Sequence, residues 1–167
     1  MLLGMSLSTF TLVHVIISLA GLGSGFIVLY GLLNSKRLDG WTAIFLTTTV
    51  LTSVTGFMFP FEGFKPSYVF GVLSLIVLAI AIWARYSRHL EGSARGIYVV
   101  TAGIALYLNC FVAVVQSFLK IPALHALAPT ATTEPIFLAA ETLVLAAFIW
   151  LTYRAAKRFH LEAARAT

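Results

Sequence analysis

Four side chains with chemistry to offer lie inside, or at the edge of, long apolar runs: His14, Asn109, Gln116 and Glu141. A charged carboxylate within a bilayer costs about 2.5 to 3.5 kcal/mol on insertion scales. Glu141 therefore needs a partner, a water-filled cavity or a proton. At a rise of about 1.5 Å per residue, Gln116 and Glu141 fall about one turn inside the outer boundary, His14 at the edge and Asn109 near the middle. These depths predict a small polar pocket in the outer half, open to the periplasmic side, with Glu62 and His125 in the outer loops above it. Such a pocket suits a proton, a metal, a quinone head group or a haem edge. The plainer alternative is that His14 and Glu141 satisfy each other and lock helix register, with Asn109 and Gln116 as interhelical hydrogen-bond glue.

Named chemistries find less support. A bis-histidine haem needs two histidines at matched depth on facing helices. His14 alone is in or near a span on the outside; His125 would have to fold in from its loop, and His89 and His160 lie among basic residues at the other end. His14, Met5, Met58 and Cys110 are soft enough together for Cu(I), but their spacing forms no signature. Cys110, the single cysteine, reads as a small buried hydrophobe and excludes an intramolecular disulfide. No nucleophile, base and orienting group occur at motif spacing, so the expectation is a protein that is not an enzyme.

The elements that position these groups follow from composition. The chain has 167 residues, 60% hydrophobic and only 10% charged, against about a quarter charged in soluble domains. That predicts an all-α integral membrane bundle in one domain spanning 1–167. Five runs suit transmembrane helices, at about 9–33, 41–60, 67–85, 97–119 and 136–153, each near the required 20 residues. Of the 11 Lys and Arg residues, Lys65 and Lys120 fall on one side, and the other nine in the alternate loops and the tail. The positive-inside rule then sets the N-terminus outside and the C-terminus in the cytoplasm. Trp41, Trp83, Tyr86 and Tyr153 mark the inner interface. The net charge of +5 is split into short clusters between apolar runs, which argues against nucleic acid as a partner. Ser18-Leu19-Ala20 resembles a cleavage site, but the first run is too long and lacks a basic leader, so it is expected to stay as a span.

Within the first span, GLGSG lies mid-membrane, where a phosphate-cradling turn has no strand to follow and no water to open into. Ser18, Gly21 and Gly25 share one helical face, a seam that lets backbones approach, within the bundle or between protomers. Thr48, Thr52 and Thr55 share a face of the second span and suit hydroxyl bonds to the preceding turn. In the fourth span Ala102, Ala105, Asn109, Ala113, Gln116 and Lys120 share a face. ALHAL, between prolines, reads as a loop or as an interfacial turn over the pocket.

At FPFEGFKPS and NCFVAVVQSFLKIPALHALAPT the chain resembles an uncharacterised family of small multi-pass bacterial inner-membrane proteins. The resemblance implies a bacterial inner-membrane location and no defined activity, and it carries over no functional residue. Together these readings predict an inner-membrane binding or accessory protein, in contact with the lipid bilayer and suited to a homo-oligomer or a larger membrane complex. The alternative is a redox or cofactor protein holding haem, quinone or a metal. A proton-coupled carrier fits less well, because the chain shows no internal repeat of the kind transporters use.

Overall fold

The structure is a computed structural model that describes residues 4–60, 66–130 and 133–160. Among the described residues it is all helical, with no strand. Ser6 caps α1 (Leu7–Leu33), its hydroxyl accepting from Thr9 N at 3.2 Å. A turn through Ser35, in the left-handed region at φ 53°, leads to α2 (Asp39–Phe57). Helix α3 (Pro66–Ile82) continues into a π-helical turn, Trp83–Ser87. There the chain stops, with His89 and Leu90 also left-handed. Helix α4 (Ser93–Lys120) follows, then the short α5 (Pro122–Leu127) with its proline in the first turn, and α6 (Pro135–Arg158).

Four stretches are long and apolar enough to cross a membrane: α1, Tyr68–Ser87, α4 and α6. Helix α2 is shorter, 19 residues, and carries six threonines and Ser53, which lowers its hydropathy. The outward surface is apolar to a degree that water would not tolerate: Leu143 is 72% exposed and Ile149 62%. Lipid solvates such a surface, where water would drive it to aggregate.

Packing places α4 at the centre, against α1, α3, α5 and α6, while α1 also packs on α2 and α6. Helix α1 pairs with α2 along its whole length. His14 meets Thr55, and a Cβ built on Gly21 would face Thr49, on Gly25 Phe45 and on Gly31 Leu38. Helix α4 pairs antiparallel with α6 in the same steady register: Gly103 faces Thr152, Tyr107 Phe148, and Phe118 Phe137. The core between these ladders is built from Phe45, Leu78, Tyr98 and Leu106.

Observed helix ends differ from the expected ones by a few residues, as caps and fraying dictate. The larger difference is ALHAL. It forms the one and a half turns of α5 and sets Leu124 against a small second core around Phe118, Ala128 and Phe137.

Candidate functional site

Glu141 projects from α6 toward α4, in the interval between the Tyr107–Phe148 ring pair at 5.8 Å and the Phe118–Phe137 pair at 5.5 Å. It is 7% exposed, and neither carboxyl oxygen has a hydrogen-bond partner. Its nearest electrostatic neighbours are the Cys110 thiol and the Tyr107 hydroxyl. No cation is paired with it. A buried carboxyl so placed holds a proton or awaits a ligand, because a bare charge there would lack compensation.

Asn109, one position from Cys110, points the other way, into the junction of α1, α2 and α4. A Cβ on Gly21 would lie 3.1 Å from Asn109 Nδ2, 3.2 Å from Thr49 Oγ1 and 3.3 Å from Thr48 Oγ1. The glycine is thus what lets three polar groups gather at mid-bundle. Asn109 Nδ2 is itself buried and unpartnered, while Thr48 and Thr49 donate back to Ile44 O and Phe45 O, each at 2.7 Å. Ser18 bonds within its own helix, to His14 O at 2.8 Å.

His14 occupies a different interface, between the outer ends of α1 and α2. Its Nδ1 lies 2.7 Å from Thr55 Oγ1. Thr55 gives its single hydroxyl proton to Leu51 O at 2.6 Å, so Nδ1–H donates to the hydroxyl oxygen and Nε2 is the ring nitrogen left with a free lone pair. Phe59 stands edge-on to the imidazole, 5.2 Å between centroids.

The structure therefore divides the expected polar cluster. His14 bonds Thr55 and makes no bond to Glu141, whose oxygens are unpartnered. Gln116 is exposed, as is His125 on α5; neither reaches Glu141 as a partner. Glu62 lies outside the described residues. The reason is divergence of the outer ends: α1 stays with α2 there, while α4 packs on α5 and α6 around Phe118 and Phe137. The α4 face that is buried at Ala102, Ala105 and Asn109 is left open at Gln116. Cys110 and His14 face different interfaces, and among the described residues no three His, Cys, Asp or Glu side chains gather as a metal site would need. A groove of about 360 Å³ lies on α3 instead, lined by Tyr68, Val69, Val72, Leu73 and Ile76.

A second polar centre escaped the reading of charge as topology. Arg85, in the π-helical turn, is 3% exposed. Its guanidinium pairs with Asp39 at the start of α2 and stacks 5.2 Å from the Tyr98 ring. Asp39 also holds Arg37 at 2.8 Å. The signal available in the sequence was Asp39 itself, an acid among the basic residues of that end. Neither a protein family, nor a curated protein, nor a solved structure matches the chain.

Proposed function

We propose that the chain is a bacterial inner-membrane protein with five crossings, N-terminus outside and C-terminus in the cytoplasm, serving as a non-catalytic binding or accessory module in a homo-oligomer or larger membrane complex. The fifth crossing is α2. Its end-to-end register with α1 supports this, as does its length of about 28 Å at helical rise, close to the hydrocarbon thickness of about 30 Å. Its hydroxyls are no obstacle, since Thr48, Thr49, Thr52, Ser53 and Thr55 each bond a carbonyl one turn back.

The observation that carries the binding role is the Glu141 carboxyl, buried with both oxygens unpartnered in an intramembrane helix. Such groups mark functional positions in membranes. The bound species meets Glu141 from the α4–α6 interface in the outer half of the bilayer. Native mass spectrometry of the protein released from nanodiscs tests it. Wild type is expected to retain a bound molecule or partner that Glu141→Gln loses. A strictly monomeric wild type with nothing bound, in several membrane preparations, removes the proposal.

One observation favours a second reading. His14 is oriented through Nδ1 with Nε2 free, which is how metal-ligating histidines are held. A haem, a metal or a quinone would then sit near the outer end of α1. A visible spectrum, metal analysis and extraction of quinones from fresh protein test this. A colourless, metal-free and quinone-free sample unchanged by His14→Ala defeats it.

A further inference from the structure

The last turns of α6 carry Trp150, Tyr153, Arg154 and Lys157, spaced i, i+3, i+4 and i+7 and so on one face. Both rings face outward, Trp150 56% and Tyr153 62% exposed. Each carries a cation: Arg154 Cζ lies 5.0 Å from the Trp150 centroid and Lys157 Nζ 5.6 Å from that of Tyr153. Indole and phenol rings settle at the boundary between hydrocarbon and head groups, so this stripe holds two cations at that depth.

The same end of the bundle gathers more positive charge. Ser35 donates to the carbonyl of Arg158, which ties the end of α1 to the end of α6. Arg95 of α4 donates to the carbonyl of Phe159 and lies 2.7 Å from His160 Nδ1. Arg95, Arg154, Lys157 and Arg158 are therefore neighbours. Among the described residues the ion pairs are those of Asp39 with Arg37 and Arg85, so these four cations have no acidic partner. Clustered like charges repel, and an anion that bridges them relieves the repulsion.

We infer that the α6 stripe is a binding site for the head-group phosphate of an anionic phospholipid, with Arg154 and Lys157 as its ligands and Trp150 and Tyr153 fixing its depth. The guanidinium offers paired N–H donors to a phosphate and the ammonium a point charge. The acyl chains lie along the exposed apolar face of α6, past Ile149 and Leu143. This site is independent of Glu141, and it stands whether α2 crosses the membrane or not.

The test is a titration of delipidated full-length protein in neutral detergent, read by native mass spectrometry, with phosphatidylglycerol and with phosphatidylcholine of the same chains. Wild type is expected to bind the anionic lipid preferentially. Arg154→Gln and Lys157→Gln should each weaken that binding about fivefold, and the double variant about thirtyfold. Arg37→Gln, whose cation already has Asp39, should leave it unchanged. Added salt should reduce the preference. Equal retention of the two lipids overturns the inference, as does a double variant that binds like wild type. Binding of inorganic phosphate as strong as that of the lipid overturns the lipid as occupant. Should the double variant fail to fold, a protein keeping Trp150 alone (Trp41→Phe, Trp83→Phe) supplies a second reading. Brominated phosphatidylglycerol should quench it more than brominated phosphatidylcholine, and equal quenching counts against the site.

Discussion

Gly23 and Gly25 stand two residues apart in α1, and the same substitution is expected to act on them in different ways. A Cβ on Gly23 meets nothing within 4 Å. Alanine there gains helix propensity of up to about 1 kcal/mol and loses no contact. A Cβ on Gly25 would lie 2.9 Å from Cδ2 and Cε2 of Phe45, and would also strike Leu106. That is about 0.6 Å inside the optimum of roughly 3.5 Å for carbon pairs. Phe45 is 1% and Leu106 2% exposed, so both are hemmed in. Overpacking of this kind costs about 1 to 3 kcal/mol. The adjoining void of about 10 Å³ gives Leu106 some room, which brings the cost to about 1 to 2 kcal/mol on that scale. Propensity cancels between the two variants, so Gly25→Ala should be less stable than Gly23→Ala by that amount. Reversible unfolding in mixed micelles, titrated with sodium dodecyl sulfate and followed by circular dichroism, measures the difference. Variants of equal stability, or a more stable Gly25→Ala, would refute the close approach of α1 to α2 and α4.

Other perturbations probe the polar groups. Glu141→Leu removes a buried carboxyl that has no partner, so the isolated protein should keep or gain stability, by up to about 3 kcal/mol, while losing any species bound at Glu141; a large drop in melting temperature would show that the carboxyl is partnered after all. Asp39→Asn leaves the buried Arg85 guanidinium without its counter-charge; because Asp39 is itself 63% exposed, the expected loss is about 1 to 2 kcal/mol, below the roughly 3 to 5 of a fully buried pair, read by the same unfolding titration. Reporter fusions at the N-terminus and the C-terminus should report opposite compartments, with the C-terminal one cytoplasmic; both ends in one compartment would take α2 out of the membrane.

Apolar runs made the helices legible, because lipid leaves the backbone no other way to satisfy its hydrogen bonds within a single segment. The role of GLGSG was legible too, in part: Gly21 and Gly25 lie buried where α1 meets α2 and α4. What depth along a helix cannot convey is direction around it. Placing His14 and Glu141 at neighbouring depths says nothing of Thr55 taking the imidazole toward α2 while the carboxyl faces α4. Asn109 and Gln116 share a face of α4, yet only the first is buried, since cover depends on where α1 leaves α4. Arg85 shows the converse. Its charge counts toward topology in the sequence, but a π-helical turn carries the side chain inward to Asp39 and Tyr98, and no pattern of apolar residues announces such a turn.

That wide turn at Trp83–Ser87 holds one more residue than α-helical spacing requires. Removing a single residue there would let the stretch close up into ordinary helix, yet it would turn everything beyond it by about 100° relative to α3. Arg85 would swing off Tyr98 toward the hydrocarbon, and the loop to α4 would have to follow. Chain length at this one spot thus decides which way a cation points.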